Sequence, residues 1–240
     1  MKIESLSNSK VKNWAKLKSK KYRDEADLFL IEGDHLVKEA LLEGDVLELI
    51  STKEEEKREG IPFYLVTEAI MKKLSSQVSG TKIIAVCKKR EEKEIAGTVC
   101  ILDNIQDPGN LGTIIRSAVA FGIDTLILGS DCVDLYNEKV IRSSEGMVFY
   151  LNILRTDAKE AIKQLKENGY KIYGTDVRKG TSLKEIKFKE KNAIIIGNEG
   201  VGMKEGLKEV CDDFIHIPIY CESLNASIAA SIIFYEVEEK

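Results

Sequence analysis

Leu102-Asp103-Asn104-Ile105-Gln106-Asp107-Pro108-Gly109-Asn110-Leu111-Gly112 runs into Thr113-Ile114-Ile115-Arg116, and this stretch decides the fold class. An apolar strand, Thr98–Leu102, ends at Asp103, and Asp-Pro-Gly makes a turn. Asn110 is placed to cap the helix that follows, and Leu111, Ile114, Ile115, Ala118 and Phe121 fall on one apolar arc of it. Arg116 lies off that arc and would project near the carboxyl end of the strand, where open α/β sheets bind ligands. A turn, a cap and a surface arginine would account for the same residues.

Outward from this unit, short apolar runs alternate with helical patterns. Strands are expected at Thr125–Leu128, Lys171–Thr175, Ala193–Gly197 and Phe214–Ile217. Helices are expected over Leu111–Phe121, Ala158–Asn168 and Met203–Val210. Continuous apolar strands separated by helices imply a mostly parallel sheet covered on both faces.

Two further segments in this half carry chemistry. Ile194-Ile195-Ile196-Gly197-Asn198-Glu199-Gly200-Val201-Gly202-Met203 is a buried strand, a glycine-rich turn and a helix start. The glycines let backbone approach a ligand closely. Their spacing is not the Gly-x-Gly-x-x-Gly of dinucleotide sites, and no phosphate-loop lysine follows. Glu199 would repel phosphates but suits a ligand with a positive centre such as a sulfonium. The second segment is Ile217-Pro218, then Ser223-Leu224-Asn225, then Ala226-Ser227-Ile228-Ala229-Ala230-Ser231-Ile232-Ile233. That last helix is apolar or small nearly all round and is expected to be buried. Ser223 and Asn225 at its start then need partners, which a ligand could supply, or Ser223 is simply its N-cap. The small residues would also let another helix approach, as at a subunit interface. His216 reads as a strand residue.

The N-terminal half alternates elements as well: a helix over Val11–Lys20, a strand at Leu28–Ile31, a helix over Asp34–Leu42, and apolar runs at Val46–Ile50, Phe63–Val66 and Ile83–Cys87. Lys88–Gly97 is charged and aperiodic and reads as a linker. The expected domains are therefore 1–95 and 96–240.

Composition narrows the function. The 240 residues are 43% hydrophobic and 32% charged, with net charge −4. Eight of the first 25 residues are Lys or Arg, and Trp14 and Tyr22 sit among them, which makes a phosphate-contacting patch or a solvated helix face. Five cysteines without a close pair argue for a reducing compartment, and with only two histidines no metal centre is expected. No apolar run reaches the roughly 20 residues of a membrane helix and the first residues lack a signal-peptide pattern, so a cytoplasmic protein is expected.

In this order, the three segments resemble the SpoU (TrmH-type) branch of the SPOUT RNA methyltransferases. Asn104, Asp107, Pro108, Asn110, Gly112 and Arg116 match the first motif; Gly197, Glu199 and Gly202 the second; Ile217, Pro218, Ser223, Leu224 and Asn225 the third. Phe29–Ala40 is similar to the opening of the substrate-binding domain that precedes the catalytic domain in many members. Two departures are visible. Only Ile219–Glu222 link the proline to Ser-Leu-Asn, where relatives carry a longer link with a glycine. Glu145 stands where relatives have a small residue.

The resemblance implies a C-terminal trefoil-knotted SPOUT methyltransferase domain and a smaller N-terminal α/β substrate-binding domain. It implies an S-adenosylmethionine-dependent RNA 2′-O-ribose methyltransferase that works as a homodimer without metal, both subunits contributing to each site. Gly197, Asn198, Gly202, Ile217, Leu224 and Asn225 would bind S-adenosyl-L-methionine. Asn110, Arg116, Glu199, Ser223 and Asn225 would form the catalytic group, with Arg116 as base or electrostatic stabiliser. Ribosomal RNA is the favoured partner by analogy. Transfer RNA is the alternative within enzymes, and a non-catalytic RNA-binding or assembly factor the alternative outside them.

Overall fold

The computed structural model describes residues 1–77 and 80–238, the side chain of Glu238 excepted. The chain divides into two compact units, Met1–Glu91 with Tyr136–Phe149, and Glu92–Leu135 with Tyr150–Lys240.

In the first unit the elements run β1 (Lys2–Ile3), α1 (Ser9–Lys16), α2 (Lys20–Ala26), β2 (Leu28–Glu32), α3 (Asp34–Glu43), β3 (Val46–Ser51), β4 (Phe63–Val66), α4 (Glu68–Leu74) and β5 (Ile83–Lys88). Their sheet has the order β1-β4-β3-β5-β2. Strand β5 is antiparallel to both β2 and β3, while β3 and β1 are parallel to β4. The expected single helix over Val11–Lys20 is two. Ser19 is extended at φ −94°, ψ 134°, which breaks the helical path before α2. Trp14 is buried in a core with Val11, Leu17, Tyr64, Ile70 and Leu74, so it is not a surface ring.

The second unit begins with β6 (Val99–Leu102), α5 (Pro108–Ala120) and β7 (Thr125–Leu128). The chain then supplies α6 (Glu138–Ser143) to the first unit and returns as β8 (Asn152–Arg155). It continues through α7 (Ala158–Glu167), β9 (Lys171–Thr175), the short β10 (Thr181–Ser182), β11 (Asn192–Ile196), α8 (Glu205–Lys208), β12 (Asp213–His216) and α9 (Ala226–Glu238). The sheet order is β10-β12-β9-β11-β6-β7-β8, and every pairing is parallel. Strands β6, β7 and β11 are buried throughout, as central parallel strands must be. Strand β8 lies at the sheet edge, only half-buried, which is why its residues show no apolar run.

Three element expectations need correction. The N-cap of α5 is Asp107, whose carboxylate accepts from the Asn110 amide at 2.8 Å, with Pro108 at the first helical position. Asn110 thus lies inside the helix instead of capping it. The helix expected over Met203–Val210 is only the single turn α8. Helix α9 starts at Ala226, and Asn225 does the capping: its Oδ1 accepts from the Ser227 amide at 2.9 Å, the Ser227 hydroxyl at 2.6 Å and the Ile228 amide at 3.3 Å. Ser223 is an exposed loop residue.

A cavity built by three loops at one edge of the parallel sheet

Strands β9, β11 and β12 are neighbours or next neighbours, all parallel, so their carboxyl ends open on one side. The loops leaving them enclose a cavity of about 540 Å³. Its walls are Thr175–Arg178 after β9, Ile196–Met203 after β11, and Ile217, Ile219, Glu222, Ser223 and Leu224 after β12. Ala226, Ala229 and Ile233 of α9 close it.

The glycine-rich turn is held from both ends. Asp103, 2% exposed, accepts the Lys204 amide at 2.7 Å, and the Lys204 ammonium lies 3.5 Å from the other carboxylate oxygen. Lys204 also pairs with Asp131, which holds its ammonium above the ordinary lysine range and the Asp131 carboxyl below the ordinary aspartate range. Asn198 folds the turn on itself. Its Oδ1 accepts the Gly200 and Val201 amides at 2.9 and 3.2 Å, and its Nδ2 donates to the Asn104 carbonyl at 3.0 Å. A Cβ on Gly197 would stand 2.5 Å from the Met203 nitrogen and 2.6 Å from the Gly202 carbonyl carbon, so the turn closes only over glycine.

The three motifs meet at the rim. The Asn110 amide donates to the Glu199 carboxylate, and Asn225 Nδ2 donates to Asn110 Oδ1 at 2.9 Å. One asparagine inside α5 therefore orients a carboxylate of the glycine-rich turn and is itself oriented by the cap of α9. Of the residues expected at the site, Gly197, Asn198, Glu199, Gly202, Ile217, Ser223 and Leu224 line the cavity; Asn110 and Asn225 adjoin it through these bonds. Arg116 is not brought to it. It lies six residues along α5 from Asn110, exposed on the face of Thr113 and Ala120, and no described residue pairs with its guanidinium. The link Ile219–Glu222 still reaches the cavity through Ile219 and Glu222, while Tyr220 and Cys221 point to solvent.

Sequence reasoning missed Asp103, Asp176 and Arg178. Asp103 is the residue after β6, and an aspartate closing a wholly apolar strand was the available signal. Asp176 and Arg178 line the cavity after β9, with Asp176 accepting the Arg178 and Lys179 amides at 2.8 and 3.0 Å. Nothing in their local sequence marks them.

The arrangement fits S-adenosylmethionine. Its volume lies in the ordinary range of ligand sites, roughly 300–1,000 Å³. Ile196, Ile217, Ile219 and Leu224 offer apolar walls to a base, and Asp176, Glu199 and Glu222 offer carboxylates to a ligand with cationic groups. Among the described residues no group of His, Cys, Asp and Glu is placed to hold a metal ion, and no helix is long and apolar enough to cross a membrane.

Known proteins resemble the chain in sequence and in fold. Residues 97–235 match the SpoU rRNA Methylase family, and residues 8–85 match the MRM3-like substrate binding domain. The chain is 40% identical, over 98% of its length and 98% of the relative's, to a Bacillus subtilis protein, the 23S rRNA (guanosine(2553)-2′-O)-methyltransferase RlmP. Among solved structures, the AdoMet-bound rRNA methyltransferase from Sinorhizobium meliloti is similar at TM-score 0.88 and 27% identity, covering 100% of this chain and 97% of the other. The SpoU methyltransferase AviRb from Streptomyces viridochromogenes, in complex with AdoMet, is similar at TM-score 0.84 and 25% identity, covering 97% of each chain. With the three motifs joined around one cavity and the match spanning the catalytic half, the chain belongs to the SpoU rRNA methylase family of methyltransferases.

Proposed function

We propose that this chain transfers a methyl group from S-adenosylmethionine to a ribose 2′-hydroxyl of ribosomal RNA. The observation that carries this reading is the Asn225–Asn110–Glu199 chain, which ties all three motifs to the rim of one cavity. The full-length similarity to a 23S rRNA 2′-O-methyltransferase supports ribosomal over transfer RNA.

The bound cofactor supplies an electrophilic methyl on a sulfonium. Gly197, Asn198, Gly202, Ile217, Leu224 and the Asn225 region would hold it. Glu199, whose carboxylate accepts from the Asn110 amide, would counter the charge of the sulfonium, and Ser223 lines the cavity from the loop after β12. In an in-line displacement the oxygen–methyl bond would form as the sulfur–methyl bond breaks, with the neutral thioether as leaving group and the hydroxyl proton passing to water, so holding the ribose oxygen against the methyl supplies much of the rate. A guanidinium stays protonated in nearly any protein setting, so Arg116 acts as a phosphate clamp and stabilises charge developing on the hydroxyl oxygen.

Arg116 does this from a neighbouring subunit. Helix α9 leaves Ile228, Ile232 and Tyr235 exposed at 52%, 37% and 47%, one apolar stripe at helical spacing. A second copy of the chain covers that stripe, and the homodimer brings each Arg116 to its partner's cavity. The trefoil knot is what the resemblance implies for the segment that carries β12 and α9. Residues 1–95 act as the RNA substrate-binding domain and 96–240 as the catalytic domain, in the cytoplasm, where unassembled ribosomal RNA is found.

The test is methyl transfer from labelled S-adenosylmethionine to unmodified ribosomal RNA and, separately, transfer RNA. Incorporation into ribosomal RNA alone is expected. Incorporation into transfer RNA alone would reassign the substrate, and no cofactor binding would overturn the reading.

A further inference from the structure

The first unit carries a second cavity, of about 410 Å³, bounded by α1, α2 and the sheet strands β2, β3 and β5. Lys10, Asn13, Trp14, Lys16 and Leu17 form one wall; Tyr22, Glu25 and Ala26 another; Leu28, Leu47, Glu48 and Val86 the floor. Two features make it a built site. The pairing of β3 with β5 slips between Val46 and Glu48, leaving Leu47 as the extra residue of a bulge. Bulges re-aim side chains, and here an apolar one is left 44% exposed on the cavity floor. Glu48, the residue after the bulge, locks the wall: its carboxylate accepts the Trp14 indole N–H at 2.7 Å and the Lys10 ammonium at 2.5 Å.

The charges say what the cavity takes. Lys10 and Glu48 neutralise each other at the cavity wall. Lys12 and Lys16, one helical turn apart on α1, are exposed and pair with no carboxylate among the described residues. The Lys16 ammonium lies 5.5 Å from the centre of the exposed Tyr22 ring. An apolar slot with an aromatic edge, a carboxylate acceptor in Glu25, the unpaired Lys16 at its wall and Lys12 one helical turn before it on α1 fits a nucleobase whose flanking phosphates lie outside.

We propose that this cavity holds one unpaired base of the RNA substrate, stacked against Tyr22 and Leu47, with the adjacent phosphates on Lys12 and Lys16. The proposal rests on the reading of the chain as an RNA-modifying protein. It gives the substrate-binding domain a specific contact that recognises single-stranded RNA.

The chain has one tryptophan, and Trp14 is in the cavity wall, so its fluorescence reports occupancy. The full-length protein is titrated with the single-stranded hexanucleotide r(A)6, with AMP as a second arm. Saturable change of Trp14 emission by r(A)6 is expected, weakened about tenfold or more in Leu47→Glu and Tyr22→Ala, because stacking contributes a large share of single-strand affinity. Both variants should keep the wild-type thermal shift with S-adenosylmethionine, which reads the second unit. No change of emission in the wild type, or an unchanged response in both variants, would overturn the proposal. AMP binding as tightly as r(A)6 would overturn the RNA assignment. Loss of the S-adenosylmethionine shift in the wild type would instead count against the methyltransferase reading.

Discussion

Arg116 and Asn110 share a helix, yet only Asn110 meets the cavity of its own chain. Replacing Arg116 by Ala should lower turnover by roughly 100-fold or more, the effect of removing one charge-stabilising donor, with cofactor binding unchanged. Single-turnover methyl transfer measures this, and a loss below tenfold would refute both roles considered for the arginine. Asn225→Ala removes a cap and the link to Asn110 together. It should cost about 1 kcal/mol in urea unfolding, and activity beyond what that loss explains. A second residue-scale expectation concerns acid. Lys20 and Lys89 hydrogen-bond the Asp24 carboxylate and hold its pKa at about 2, below the ordinary 3.8. A lowered pKa stabilises the fold above the ordinary value and loses that contribution as pH falls toward 2. Asp24→Asn should therefore flatten the dependence of the unfolding midpoint on pH between about 4 and 2; an unchanged slope would show that the pairs do not matter. At this scale the sequence was informative where a residue type is chemically singular, as at Gly197 or Glu199. It was silent at Asp176, whose role depends on which loops stand beside it.

The glycine-rich turn is the element on which cofactor binding turns. Gly197→Ala would push a methyl into the backbone of Gly202 and Met203 and should abolish the thermal shift with S-adenosylmethionine while the apo protein remains folded. An unaltered shift would mean the turn is not part of the ligand site. The third-motif loop can be followed chemically, since Cys221 is exposed beside Glu222 of the cavity wall, whereas Cys87 and Cys100 are buried with thiols raised by desolvation. A thiol reagent should label Cys221 first. Saturating cofactor should slow that labelling if the loop closes on it, and equal rates would show that it does not. Element types were legible because periodicity is local: β7 and β9 lie where the apolar runs predict. Helix starts were less so. Asp107 and Asn110 are both good caps, and the choice fell to Asp107 because Pro108 suits the first helical position. The edge strand β8 has no buried face to write an apolar pattern.

At the scale of the molecule, the helix α9 that reads as apolar all round keeps one apolar stripe outside, which a single chain leaves uncovered. Ile232→Glu should shift the protein from dimer to monomer in sedimentation and abolish methyl transfer, while an active monomer would contradict the shared site. Mixing inactive Arg116→Ala with inactive Gly197→Ala protein should restore activity, because mixed dimers then hold one intact site. The order β12-β9-β11, and the passage of Tyr136–Phe149 to the first unit, were not readable from local pattern. Both depend on contacts between residues far apart in sequence, which periodicity does not encode. The motif residues pointed to the cavity because chemistry restricts them, whereas no residue type restricts the order of the strands.

The most direct measurement is nucleoside analysis of ribosomal RNA after incubation with S-adenosylmethionine and the protein. A single 2′-O-methylated nucleoside is expected, formed at least roughly 100-fold more slowly when Arg116 is replaced by Ala. A methyl group on a base, or no methylated nucleoside from protein that binds the cofactor and is offered both free RNA and ribosomal particles, would contradict it.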